Sequence, residues 1–303
     1  MIGEAFLKCR SQRPLPLNPK SNVRASQKAT ANTETIAFYE SESARAMTLL
    51  PEQVQRFNRD GFIRPLDALS DEEIGHARSY FESLLDRMQA MRDGRNSYAL
   101  DGYHLRCRGI WEMARHPRIL DYVEDLLGPD FVCWSTHYFC KLGRDPKRVP
   151  WHQDATYWPV RPTMTVTVWL AIDDVDETNS PLRFMPGSHR RGAIEYIRAE
   201  GQTVLSQEVE DVERFGEPVV NVLKAGQISI HTSTLLHGSE PNSSNRRRCG
   251  LALRYIPSSC GSVAGAERVL NLGIPCRGEL GRWRRNEPPI GDDLTPLHRH
   301  YRD

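Results

Sequence analysis

The sequence lacks an excess of either charge. Its 303 residues include 40 basic and 39 acidic side chains, which gives a formal net charge of +1. Nucleic acids and anionic membrane surfaces are bound through basic patches, which need a surplus of Lys and Arg on one face. No uninterrupted apolar run approaches the roughly 20 residues that span a bilayer. We therefore expect neither a nucleic-acid partner nor a membrane partner.

Closely spaced cysteine pairs are also missing. The seven cysteines are odd in number and include no C-x-x-C pair. A disulfide framework is indicated by an even number of cysteines, and zinc–cysteine sites are indicated by C-x-x-C pairs. We therefore expect reduced thiols in a cytoplasmic protein. The cysteines are residues 9, 107, 133, 140, 249, 260 and 276.

The first 46 residues differ from the rest in lacking apolar periodicity. They are rich in Ser, Thr, Asn, Pro and basic residues, and Glu4 is the single acid before Glu34. This composition predicts a disordered N-terminal extension. Two alternatives remain open, an organelle transit peptide and a true start at Met47. Residues 47–303 are predicted to form one domain.

The remaining chain begins with helical patterns and continues with strand patterns. Ser70 and Glu73 have capping-box spacing, and Pro117 and Gly128 bound a second apolar helix. Short strands without intervening helices are typical of antiparallel sandwiches and barrels. We predict a mainly β fold with flanking α-helices, whose double-stranded β-helix core (jelly-roll, cupin-like) spans about residues 131–257. Strands are predicted at 131–141, 163–172, 218–223, 227–231 and 249–256, a lid-like excursion is predicted at 188–217, and the tail from 261 has no assignment.

A candidate metal site begins at the stretch Trp-His-Gln-Asp, residues 151–154. On an extended backbone, side chains at i and i+2 leave on the same face, so His152 and Asp154 can point at a common centre. One further histidine would complete the two-histidine, one-carboxylate set that holds non-haem iron and leaves coordination positions open. A surface histidine beside a solvated aspartate is the alternative for this short motif alone.

A second segment supplies the missing histidine. Residues 235–239 read Leu-Leu-His-Gly-Ser, and Arg248 lies 11 residues after His237. Together with His152 and Asp154, this arrangement resembles the phytanoyl-CoA dioxygenase (PhyH) family of Fe(II)/2-oxoglutarate-dependent oxygenases. The resemblance covers roughly residues 51–257 and is densest at 151–158, 184–189 and 235–255.

The resemblance implies a role for each of these residues. His152, Asp154 and His237 would bind Fe(II), with 2-oxoglutarate and O2 as co-substrates. The far carboxylate of 2-oxoglutarate needs a permanent bidentate cation, and the family spacing selects Arg248 over its two neighbouring arginines. The same resemblance implies 2-oxoglutarate contacts from Ser239 and Lys141, and Thr167 on the neighbouring strand is a further candidate for this contact.

Several other residues are candidates for the substrate pocket. Trp158 and Trp169 are predicted to line it above the iron, with core packing as the alternative. His104 and His137 are further candidates. A core or surface position is the alternative for His104, and a position behind the pocket lining is the alternative for His137. His231, six residues before His237, is predicted to be a hydrogen-bonded core or rim histidine rather than a ligand.

The function that follows is hydroxylation of a C–H bond of a small polar metabolite, with release of succinate and CO2. The carboxylate at Asp154 favours hydroxylation, because halogenating relatives have Gly or Ala there. Two alternatives remain open, a zinc hydrolase with the same three ligands and a family member that binds its ligand without turnover. The sequence gives no oligomeric state.

Overall fold

The computed structural model describes residues 47–297 and residue 301. Residues 1–46, with their predicted disorder and Cys9, lie outside the described residues. The four α-helices of the described part are α1 Pro51–Asp60, α2 Asp71–Ala90, α3 Arg108–Met113 and α4 Pro117–Leu127. Its strands are β1 Phe62–Asp67, β2 Phe131–Lys141, β3 Val149–His152, β4 Val160–Arg161, β5 Val166–Ala171, β6 Arg183–Phe184, β7 Ile197–Arg198, β8 Gln207–Glu208, β9 Val219–Val220, β10 Gln227–Thr232, β11 His237–Ser239, β12 Arg248–Pro257, β13 Gly261–Ser262 and β14 Ile274–Arg277.

Helix α2 begins where its capping residues predict. The Ser70 hydroxyl accepts a hydrogen bond from the Glu73 amide at 3.3 Å, and the Glu73 carboxylate accepts one from the Ser70 amide at 2.8 Å. Two backbone donors that have no partner inside the helix are thereby satisfied. The buried side chains of α2 recur at three- and four-residue spacing, so one face of the helix packs on the protein.

Two antiparallel sheets form the centre of the fold. The larger sheet has six strands in the order β1-β10-β5-β12-β2-β14, and the smaller has four in the order β3-β11-β6-β9. Side chains of both sheets meet in one buried cluster, in which the Phe62 and Phe184 rings lie 4.8 Å apart. This two-layer arrangement confirms the predicted mainly β, jelly-roll fold with flanking helices.

The two faces of the larger sheet bury different kinds of side chain. On β12, Leu251, Leu253 and Tyr255 belong to the apolar cluster that the helices cover. The alternate residues, including Ala252, face the smaller sheet. Successive side chains of a strand leave on opposite faces. The face of β12 toward the helices is therefore apolar, and the inner face, toward the smaller sheet, can carry polar groups.

The structure adds detail where the sequence pattern is weak. Residues 188–217 contain the short hairpin of β7 and β8, whereas the sequence predicts no strand pair there. The segment predicted as a strand at 218–223 forms only the two-residue β9. In the unassigned tail, β14 pairs with β2 at the edge of the larger sheet.

The described residues contain neither a membrane-spanning helix nor a disulfide. No helix among residues 47–297 is both long and apolar enough to cross a membrane. The six cysteines in this part of the chain are free and buried, so they form no disulfide.

The close contact between β12 and Trp169 predicts a stability effect. A Cβ atom added at Gly250 would lie 1.9 Å from Cζ2 of the Trp169 indole, which a packed sheet cannot accommodate without displacing the ring. We expect Gly250→Ala to lower the free energy of unfolding by about 1–3 kcal/mol, measured by chemical denaturation. Gly75 in α2 is the matched control, since its added Cβ meets nothing within 4 Å. Gly75→Ala should raise the free energy of unfolding by about 0.5–1 kcal/mol. Equal effects at the two sites would contradict the packing argument.

Candidate metal centre

Three candidate ligands meet at the edge of the smaller sheet. His152 ends β3 and His237 begins β11, and these two residues are direct partners in the antiparallel pairing, with ring centroids 4.2 Å apart. Asp154 follows His152 in a short 3-10 turn, which brings its Oδ1 to 3.6 Å from His152 Nε2. One ligand atom from each residue lies within 4.8 Å of the other two, and all three side chains are buried. Among the described residues, this is the group that could hold a metal ion.

Backbone carbonyls orient both histidine rings. His152 Nδ1 lies 2.8 Å from the Pro150 carbonyl, and His237 Nδ1 lies 3.0 Å from the Leu235 carbonyl. A carbonyl oxygen only accepts hydrogen bonds, so each Nδ1 must be the protonated donor. The other ring nitrogen, Nε2, therefore carries the lone pair, as a metal-binding histidine requires.

The charge states also suit a metal. Burial alone would raise the pKa of Asp154, but the interaction with His152 and the positive charge of Arg254 together hold it well below its usual range. Burial lowers the pKa of His237 well below its ordinary value, and the neighbouring His152 and His231 lower it further. An ionised carboxylate and a neutral imidazole are the forms that bind metals. Two imidazole nitrogens and one carboxylate oxygen fit the facial set of a non-haem Fe(II) site.

The three ligands face a cavity that extends to Arg248. Arg248 is fully buried, and its guanidinium donates to the Phe139 carbonyl at 3.2 Å and the Ser239 hydroxyl at 3.4 Å. Its Nε has no partner. The side chain also lies 5.7 Å from the Trp169 ring, whose buried indole nitrogen has no partner either. Donors left unsatisfied in a buried cavity indicate that a polar ligand belongs there.

Thr167 and Lys141 have different surroundings. The Thr167 hydroxyl lies on the cavity wall and donates to Asp154 Oδ2 at 3.3 Å, so it contacts a candidate metal ligand. The Lys141 amine donates to the Ser180 hydroxyl at 3.0 Å, to the Ser239 carbonyl at 3.3 Å and to the Glu240 carbonyl. Burial, together with the neighbouring Arg248, lowers the pKa of Lys141 to about 6. Its contact with 2-oxoglutarate stays a prediction.

Of the four residues predicted for the substrate pocket, Trp169 lines this cavity and the other three do not. His104 is buried with Nε2 2.8 Å from the Leu272 carbonyl, and burial lowers its pKa to about 4, which is the character of a core histidine. His137 Nε2 lies 2.8 Å from the Tyr98 carbonyl. Trp158 lies beside the cavity wall, with its ring 5.2 Å from the guanidinium of Arg254.

Sequence reasoning assigned no site role to two titratable residues that line the cavity, His231 and Arg254. His231 is a core residue as predicted, but neither of its ring nitrogens has a hydrogen-bond partner, so the predicted hydrogen bonding is wrong. Its Nε2 lies 3.9 Å from Asp154 Oδ2, too far for a hydrogen bond. For Arg254 a signal existed, because it lies an even number of positions after Arg248 on the same strand and shares its face.

Known proteins are similar to this chain in sequence and in fold. The model of the family named phytanoyl-CoA dioxygenase (PhyH) matches residues 57–250. The peroxisomal phytanoyl-CoA dioxygenase of Bos taurus is 25% identical over 233 residues, which is 69% of each chain. The L-proline trans-4-hydroxylase of Streptomyces griseoviridis is 25% identical over 225 residues, or 66% of this chain and 84% of that protein.

A solved structure supports the same assignment. The structure of CytC3 with Fe(II) and alpha-ketoglutarate is 28% identical in sequence to this chain and has a TM-score of 0.54. The match covers 74% of this chain and 83% of CytC3. The family match spans well over half of the chain and includes both histidine motifs and Arg248. The chain therefore belongs to the phytanoyl-CoA dioxygenase (PhyH) family of Fe(II)/2-oxoglutarate-dependent oxygenases.

Proposed function

We propose that this chain hydroxylates a C–H bond of a small polar metabolite, with release of succinate and CO2 from 2-oxoglutarate. The observation that carries the proposal is the juxtaposition within one cavity of a buried two-histidine, one-carboxylate group and a buried guanidinium with an unsatisfied donor. The small-molecule substrates named for relatives such as the L-proline hydroxylase support the metabolite class.

In this proposal His152, Asp154 and His237 hold the iron. When bound, Fe(II) with 2-oxoglutarate and O2 supplies the oxidant that the protein's own side chains lack. The chain contributes orientation, since two backbone carbonyls direct the histidine rings and the Thr167 hydroxyl directs the Asp154 carboxylate. Burial of all three ligands keeps bulk water away from the reacting centre.

Arg248 binds the far carboxylate of 2-oxoglutarate, and Ser239 is the neighbouring donor. A guanidinium stays charged when buried and offers two parallel N–H donors to a carboxylate. No acidic side chain lies within ion-pairing distance of Arg248 in residues 47–297. The charge therefore requires an anion from outside the protein, because an unpaired buried charge is costly.

The remaining assignments follow from this activity. Lys141 supports the co-substrate end of the cavity from beside Arg248, its direct partner in the β2–β12 pairing. Residues 47–303 act as one oxygenase domain in the cytoplasm. A zinc hydrolase with the same ligands would leave Arg248 and Ser239 without a role. A protein that binds without turnover would still bind 2-oxoglutarate but release no succinate.

The first prediction concerns co-substrate binding. Arg248→Lys keeps the charge but loses the two-donor fork, so the dissociation constant of 2-oxoglutarate should rise about 100-fold, the equivalent of about 3 kcal/mol. Isothermal titration of the metal-loaded protein without oxygen measures it. The matched control is Arg247→Lys, because Arg247 pairs with Asp173 and Glu82 outside the cavity. An unchanged affinity in Arg248→Lys would contradict the assignment.

The second prediction concerns the orientation of Asp154. Thr167→Val removes the hydroxyl that donates to its carboxylate, and the metal dissociation constant should rise about 10-fold. The control is Thr165→Val, two residues earlier, since the Thr165 hydroxyl is buried and has no partner. Anaerobic Fe(II) titration of both variants measures the effect. The same loss of affinity in both variants would show that the contact does not orient the carboxylate.

A further inference from the structure

The cavity contains a second buried guanidinium that the proposed function does not use. Arg254 is 7% exposed and, like Arg248, lines the cavity from β12. The two residues are six positions apart on β12, so both side chains leave on its inner face. Arg248 contacts Ser239, whereas Arg254 lies opposite Thr167, whose hydroxyl contacts Asp154. Arg254 therefore lies at the metal end of the cavity.

The polar contacts of Arg254 are incomplete. Its Nη1 donates to the Ser135 hydroxyl at 3.2 Å, and its Nε is buried with no partner. Within the described part of the chain, no carboxylate lies within 4.0 Å of its guanidinium nitrogens. A neutral hydroxyl does not compensate the charge of a buried guanidinium, so this charge raises the free energy of the folded state. An anion bound to Arg254 would lower that free energy.

The location of Arg254 links it to the reacting centre. Its direct partner on β5 is Thr167, whose hydroxyl contacts Asp154. Arg254 and Asp154 line the same cavity without contacting each other. A divalent cation at the three ligands would neutralise Asp154 and leave the positive charge of Arg254 less compensated than before. An anionic group is therefore most favourable here when the metal is bound.

The wall beside this guanidinium is aromatic. The Trp158 ring lies 5.2 Å from the Arg254 guanidinium carbon, and the Trp134 ring packs edge-on at 5.2 Å from Trp158. Trp134 is buried. Neither ring lines the cavity, so Trp158 packs against the Arg254 guanidinium from outside it.

We propose that Arg254 binds a carboxylate of the substrate and so selects small carboxylic acids as the molecules to be hydroxylated. This inference rests on the proposed function and narrows its substrate class. One guanidinium matches the planar shape and single charge of a carboxylate, whereas a phosphate dianion would need a second cation. The substrate carboxylate would thus be held beside the metal ligands, at the end of the cavity away from Arg248.

Acetate and acetamide provide the test, because they share shape and differ in charge. The protein is loaded anaerobically with Fe(II) and saturating 2-oxoglutarate, so that the Arg248 end is occupied, and each probe is titrated calorimetrically. We expect acetate to bind with a dissociation constant on the order of millimolar, within the ceiling for so small a ligand. Acetamide should bind at least about 10-fold more weakly.

Two Arg254 variants and one control complete the experiment. Arg254→Gln and Arg254→Met should each lose acetate binding by at least about 10-fold while their affinity for 2-oxoglutarate stays within about twofold. Arg277→Gln should bind acetate as the parent does, because Arg277 pairs with Asp121 and Glu124 on α4, away from the cavity. Thermal unfolding checks that all three variants are folded.

Three results would overturn the proposal. They are an absence of acetate binding in the parent, equal binding in the Arg254 variants, and a parallel loss of 2-oxoglutarate affinity, which would assign Arg254 to the near carboxylate of the co-substrate. Each of them leaves the proposed function intact if the parent still binds Fe(II) and 2-oxoglutarate. Failure of the parent to bind both would instead refute the proposed function itself.

Discussion

The pairing of β3 with β11 is the constraint on which the site depends. His152 and His237 are separated by 85 positions in the chain and become neighbours because their strands pair with these two residues directly opposite. A slip of one residue would turn either side chain to the opposite face of its strand. The backbone carbonyls that direct the ring nitrogens lie two residues before each histidine, so the choice of the free nitrogen is local to each segment. Strand register, more than any single contact, brings the two histidine ligands together.

The second theme is charge that the protein leaves unpaired. Arg248 and Arg254 project from one face of β12 into the same cavity, and neither has a carboxylate partner in the described residues. The third buried arginine of the described residues, Arg95, pairs with Asp93. The two buried guanidinium groups without a carboxylate partner therefore both line the cavity in which anionic ligands are expected. The free energy lost in burying them is recovered on binding, which couples ligand affinity to the stability of the fold.

Sequence patterns predicted the parts of this molecule that are local. The two-residue spacing of His152 and Asp154, the capping residues of α2 and the alternation in β2 are properties of short segments. The family resemblance extended these predictions to His237 and Arg248, and the family and the fold class are confirmed. Contacts across strands were harder to predict, because they depend on register. Examples are the contact of Thr167 with Asp154, the position of His231 beside Asp154 without a hydrogen bond, and the hydrogen bond of His104 within the core. Arg254 belongs to no motif and was missed, although its even spacing from Arg248 placed it on the same face of β12.

The central claim is that His152, Asp154 and His237 form one iron site that also receives 2-oxoglutarate. Anaerobic visible spectroscopy of the full chain tests it most directly, since a 2-oxo acid chelated to Fe(II) gives a charge-transfer band that neither component gives alone. The account predicts that the band appears only with both components and is absent in His237→Ala at the same concentrations. A band of undiminished intensity in His237→Ala, or no band in the parent protein, would contradict it.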